Sequence, residues 1–149
     1  MINRIIFDVK GKPPKKSNWD TDDTYLVVKF REAALKARTN AGLSDCFHKS
    51  VKLNLIVYAP NTTEIKYIQT GDDDPKRYVG DLDSVVAGIC EYLQPAPNNP
   101  ELDFGHFDGK NEIGPKVALI IENDSQIAEI NAKKMHDETL HYHVEIEPI

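Results

Sequence analysis

Polar and apolar positions alternate most cleanly in two stretches of the chain. From Val51 to Tyr58, the residues Val51, Leu53, Leu55 and Val57 fall on one face, with Lys52 and Asn54 on the other. From Leu140 to Glu147, the residues Leu140, Tyr142, Val144 and Ile146 oppose His141, His143, Glu145 and Glu147. A period of two predicts half-buried strands. Ile2 to Val9 predicts a first strand, the apolar run Val117 to Ile121 a short buried one, and Ile127 to Lys134 another. Two other segments carry the helical period. Thr24 to Ala41 opens at Asp23 or Thr24 and stops near Gly42. It directs Leu26, Phe30, Ala33, Ala34 and Ala37 inward, with Lys29, Arg31, Lys36 and Arg38 on its polar face. From about Asp81 to Leu93, the residues Leu82, Val85, Val86, Ile89, Cys90 and Leu93 recur at helical spacing, and the helix ends before Pro95.

The connections are polar and irregular. Lys10 to Asp23 holds Pro13-Pro14. Thr62 to Val79 reads as a loop with a short strand around Ile65 to Ile68 and a solvated acidic tip at Asp72-Asp73-Asp74. Pro95 to Lys116 is long for a connection and reads as an inserted lid or contact loop, with Phe104 and Phe107 folding back on the domain. It is not a calcium loop: aligning Gly109 with the invariant glycine of such loops puts Phe104 at the first ligand position. The whole pattern predicts an α+β fold with two main helices in a single domain spanning residues 1–149.

Composition fits that picture. The chain has 149 residues, 28% charged and 40% hydrophobic, which suits one globular domain with a genuine core. No apolar stretch reaches transmembrane length, and Asp8 interrupts the N-terminal apolar run, so neither a membrane partner nor a signal peptide is expected. Cys46 and Cys90 do not form a disulfide framework; Cys90 belongs to the apolar helix face, and a cytoplasmic location follows as the expectation. The net charge of −6 opposes general affinity for nucleic acid. Local basic clusters can override that total. Lys10, Lys12, Lys15 and Lys16 crowd the Pro-rich loop, Lys76 and Arg77 precede the second helix, and Lys133 and Lys134 lie near the C-terminal end.

The most distinctive chemistry is acidic. Asp81 and Asp83 sit one residue apart at the predicted start of the second helix, and Asp124 ends the run Val117 to Asp124. Inside a helix, positions i and i+2 point apart. Asp81 and Asp83 can share one cation only if Asp81 is a non-helical N-cap and Asp83 lies in the first turn. A simpler reading makes Asp81 a cap and Asp83 a complement to the helix dipole. Three such carboxylates suit a hard cation that keeps waters and takes a substrate phosphate, as Mg2+ does. His141 and His143, at i and i+2 on one strand face, could bind zinc, but the pattern reads first as an exposed strand face.

Taken in order, these pieces resemble the RusA family of Holliday junction resolvases. The strand leading into Lys12-Pro13-Pro14-Lys15-Lys16-Ser17-Asn18 is similar to that family's strand and Pro-Pro-Ser-x-Asn loop. Lys76-Arg77-Tyr78-Val79-Gly80-Asp81-Leu82-Asp83 resembles its basic run before an Asp-Leu-Asp-Asn helix start. Asn123-Asp124-Ser125-Gln126-Ile127 resembles its Asp-Asp-x-x-Val turn. The resemblance implies a RusA-like mixed sheet and a dimeric endodeoxyribonuclease, dependent on Mg2+ (or Mn2+), that nicks branched or four-way DNA symmetrically. Asp81, Asp83 and Asp124 would be its metal-binding catalytic residues. Lys12, Lys15, Lys16, Lys76, Arg77, Lys133 and Lys134 would contact DNA. The chain departs from the pattern at Ala87, where the family has a lysine, at Asn123 and Ser84, and in the loop at 95–116. Lys133 or Lys134 is the candidate to stand in for the missing lysine. The acidic balance and Ala87 also admit an inactive relative that binds nucleic acid or protein. A homodimer would pair through the strand edges of Val51 to Tyr58 or Leu140 to Ile146.

Overall fold

The computed structural model describes residues 3–60 and 79–149. Its elements run β1 (Ile5–Lys10), α1 (Thr24–Asn40), β2 (Val51–Ala59), α2 (Leu82–Tyr92), β3 (Ile127–His136) and β4 (His141–Pro148). The strands form one mixed sheet in the order β1-β4-β2-β3. β4 runs antiparallel to both β1 and β2, and β3 runs parallel to β2. Among the described residues this is a single small α+β domain with two α-helices, as the patterning predicts.

Pairing converts the alternation of each strand into rows across the sheet. Ile5, Ile146 and Leu53 form one row, Phe7, Val144 and Leu55 the next, and Val9, Tyr142 and Val57 a third. All nine are buried under the helices. β3 extends the last two rows with Ala132 and Lys134 at the sheet edge. The other face carries Asp8, His143, Ile56 and Lys133 in a row, and Lys10, His141, Tyr58 and Met135 in another. Neither β2 nor β4 can pair with a second copy as the sequence suggests. Both are interior strands, hydrogen-bonded on two sides; among the described residues, the edges belong to β1 and β3.

The inward face of α1 forms as expected, with Leu26, Phe30, Ala34 and Ala37 buried. Arg31 does not lie on the polar face. It is fully buried and directs all its donors at backbone carbonyls. Nε donates to Ile113 (3.0 Å), Nη1 to Tyr92 (2.8 Å) and Gln94 (3.0 Å), and Nη2 to Gly114 (2.8 Å) and Val117 (2.9 Å). No carboxylate is involved, and the guanidinium lies 5.2 Å from the centre of the Trp19 ring. Burial lowers its pKa to about 10, which keeps it charged at neutral pH.

That arrangement explains a second departure. Val117 to Ile121 is buried over Leu119, Ile120 and Ile121, yet it is an extended segment without a ladder, carrying only an isolated parallel bridge from Ile121 to Phe47. Its backbone partners lie elsewhere. Arg31 takes the carbonyl of Val117, Arg38 takes that of Leu119 (2.7 Å), and the amides of Ile120 and Ile121 donate to the Leu93 carbonyl at the end of α2. An apolar run shows that a segment is buried but not which groups satisfy its backbone. The 95–116 loop is drawn in by the same arginine, and Phe107 is buried with its ring 5.9 Å from that of Trp19.

On the open face the histidines pair with acids rather than with each other. His143 lies between Asp8 (2.9 Å) and Glu145 (2.7 Å), and His141 pairs with Asp137 (2.8 Å) while stacking on Tyr58. Burial disfavours the charged form of His143, but the hydrogen bonds to Glu145 and Asp8 outweigh it and raise its pKa.

Two predictions follow from these contacts. Lysine at position 31 cannot satisfy five carbonyls, and each buried group left unpaired costs about 1–3 kcal/mol. Arg31→Lys should therefore lose about 3 kcal/mol or more in urea unfolding, against less than about 0.5 kcal/mol for the exposed control Lys36→Gln; equal midpoints would refute the role. The raised pKa of His143 stabilises the fold fully below the unfolded value near pH 6.5, and this contribution fades as pH rises through the higher folded value. His143→Gln should accordingly cost more stability at about pH 5.5 than at about pH 8.5. An equal cost at both would show that the ring is not charged.

Candidate functional site

The N-terminus of α2 has the geometry that the aspartate pair requires. Gly80 turns the chain at φ 80°, a left-handed conformation that favours glycine. Asp81 follows as N-cap with extended dihedrals (φ −70°, ψ 146°), and Asp83 lies in the first turn. Asp81 makes no side-chain capping bond. Its carboxylate is therefore not used for the role that the simpler reading assigns it. Asp83 accepts the amide of Ser84 at 3.0 Å, and both aspartates are exposed.

Two lysines approach this end of the helix. Lys134 continues a buried row of the sheet, so it emerges on the helix side and donates from Nζ to the carbonyl of Gly80. Burial lowers its pKa, opposed by the negative charges of Asp81 and Asp83. Lys133, one residue earlier, points to the opposite face. Strand alternation thus decides which of the two lysines reaches the start of α2. Lys15 arrives from the Pro-rich loop, and a Cβ on Gly80 would lie 3.2 Å from its Nζ.

That loop is fixed along α2. A methyl on Gly88 would drive into the carbonyl oxygen of Pro14 and come within 2.9 Å of the Lys15 Cα. Ser17 donates its amide to Glu91 at 3.0 Å, and Asn18 donates its amide to the Tyr92 hydroxyl at 2.7 Å. The same hydroxyl donates to the Lys15 carbonyl, and the Trp19 ring meets that of Tyr92 edge-on at 5.0 Å. Lys12 is half-buried, its pKa lowered by burial and then by Lys15. Lys16 is exposed and its charge acts on Glu91, on the last turn of the helix. Lys76 and Arg77 lie outside the described residues.

Asp124 stands further along α2. It opens a short 3-10 turn (Asp124–Gln126) capped by Asn123, and its amide donates to the Gln94 side chain at 2.6 Å. Burial, and then the charge of Asp124, push the Cys90 thiol up to about 11. Cys90 lies two turns beyond Asp83, roughly 10 Å along the axis. The three carboxylates are not gathered within 4.8 Å of one another. The one group among the described residues that does bring metal-type donors that close is Asp45, Cys46 and His48, after α1. Sequence reading missed it. The spacing Asp-Cys-x-His is a weak signal, and its neighbour Glu122 is remote in the chain.

No family model matches this chain, and no curated protein matches it either. No described helix is long and apolar enough to cross a membrane.

The packing at Gly88 sets two effects against each other. Alanine is intrinsically better in a helix by about 1 kcal/mol, whereas the clash with the Pro14 backbone should cost about 1–3 kcal/mol. Gly88→Ala should lower the thermal midpoint; a gain would mean that the loop does not lie against α2.

Proposed function

We propose that the protein is a metal-dependent, structure-selective endodeoxyribonuclease of the RusA kind, acting on phosphodiesters of branched DNA. The observation that carries this reading is the start of α2, where two exposed carboxylates in N-cap and first-turn geometry stand beside Lys134 and Lys15. Hard oxygen donors in this number suit Mg2+, which keeps several waters and takes one or two carboxylates plus a phosphate. Asp81 and Asp83 would hold the ion, and Asp124, in the separate turn beside the C-terminal half of α2, would have to draw closer to join them. Bound there, Mg2+ would supply a polarised phosphate and a water of lowered pKa.

The chain's own cations do the rest. Lys134 stands at the carboxylates and would offset charge that develops on the phosphate oxygens, the task left open by Ala87. Lys15, with Lys12 behind it, would position the DNA backbone without reading its sequence. A symmetric nick of a four-way junction needs two such sites and hence a two-fold dimer. Among the described residues, such a dimer would have the strand edges of β1 and β3 to pair through, not those of β2 and β4.

Two observations favour a second reading. The separation of Asp124 from the other two aspartates, together with the net charge of −6, fits a module that binds a nucleic acid or protein without cutting it.

Cleavage of a synthetic four-way junction separates the two. On the nuclease reading, the parent cuts it only with Mg2+ or Mn2+, Asp83→Asn abolishes cutting while the far-ultraviolet spectrum is unchanged, and Lys134→Gln slows it by about 10²-fold or more. Junction binding with no cleavage under any divalent ion would leave the binding module. Wild-type cleavage by Asp83→Asn would remove the catalytic site.

A further inference from the structure

The loop between α1 and β2 gathers a different set of donors. Asp45, Cys46 and His48 each bring a ligand atom within 4.8 Å of the others, combining a carboxylate, a thiol and an imidazole. We propose that these three residues bind a zinc-type divalent cation, with Glu122 as the outer partner of the histidine. The site shares no ligand with the aspartates of α2, and it does not rest on the nuclease reading.

The donors are already oriented. Asp45 accepts the Cys46 amide through Oδ1 at 2.8 Å, which turns Oδ2 toward His48 Nε2 at 2.9 Å. The other ring nitrogen, Nδ1, is bonded to Glu122. A metal-binding histidine commonly gives its second N–H to a carboxylate, which fixes the tautomer and strengthens the ligand. With Nδ1–H donated to Glu122, the Nε2 lone pair faces Asp45 Oδ2. A proton joins the two atoms at 2.9 Å. A metal bound to both atoms, off the line between them and toward Cys46, replaces that proton.

The surrounding backbone is fixed as well. Phe47 donates its amide to Ile120 at 2.8 Å. Gln126 donates from Nε2 to the carbonyls of Phe47 (2.8 Å) and Lys49 (3.0 Å), on either side of His48. Its Oε1 accepts the Glu122 amide at 2.8 Å. One glutamine therefore fastens both the ligand loop and the backbone that carries Glu122, so little backbone ordering remains to be done on binding.

The donor set indicates the metal. Thiolate and imidazole select zinc-type cations over magnesium or calcium, which prefer oxygen alone. Three protein ligands leave a fourth tetrahedral position for water or an added ligand. The metal–sulfur bond forms as the Cys46 S–H bond breaks, and that proton passes to solvent.

Cobalt reports the geometry directly. Titrating the full chain with Co2+ should give one equivalent bound with a thiolate-to-cobalt charge-transfer band, and Zn2+ should displace it. Cys46→Ser should lack the band and Cys90→Ser should keep it. His48 and Glu122 are exposed, so their variants should fold. Glu122→Gln should weaken binding about 10–100-fold, and His48→Ala more than that. Asp83→Asn should leave the band unchanged, so that loss of the nuclease reading and loss of this site are separate results. Absence of the band in the parent, its survival in Cys46→Ser, its loss in Cys90→Ser, or unchanged affinity in His48→Ala would each overturn the proposal.

Discussion

Five backbone carbonyls converge on one buried guanidinium, and most of the layer above the sheet depends on that convergence. Arg31 reaches from the middle of α1 to the end of α2 and to the segment from Ile113 to Val117. A helix leaves its last carbonyls without partners, and a buried loop leaves many more. In this molecule one side chain satisfies both. Its planar fork presents five donors, which no lysine can do. The arginine stays charged although it has no acidic partner, because carbonyl dipoles replace the water it loses.

Helix α2 is thereby held at its C-terminal end and free to present its N-terminal end. Along its length it meets the Pro-rich loop, and the absence of a side chain at Gly88 sets how close that loop can come. Tyr92 ties the loop down at the other end through its hydroxyl and its ring. The result carries Lys15 to the start of the helix, where β3 delivers Lys134 from the other side. Two cations and two carboxylates thus meet through contacts between segments far apart in the chain.

The same principle shapes the surroundings of His141, His143 and His48. On the open face of the sheet each imidazole takes acids from its own surroundings, and the pairing is structural. At His48 the two carboxylates bracket the ring and a thiol lies alongside. The difference is the sulfur ligand and the Gln126 clamp, which hold that set in a shape a cation can use.

Much of the fold was legible in the amino-acid sequence. The alternation of Val51 to Tyr58 and Leu140 to Glu147, and the helical spacing after Thr24 and Asp81, report local burial, which a period of two or 3.6 encodes directly. The N-cap geometry of Asp81 was legible too, since Gly80 and the first turn are neighbours in the chain. Tertiary structure alone decided the rest. It put Arg31 inside, although arginine at a helical position reads as surface. It denied a ladder to Val117 to Ile121 by giving its carbonyls to arginine side chains. It made β2 and β4 interior strands, chose Lys134 over Lys133 by sheet register, left Asp124 apart from Asp81 and Asp83, and brought Glu122 to His48. Each of these depends on which distant group satisfies a polar atom, and periodicity along a chain records burial without recording partners.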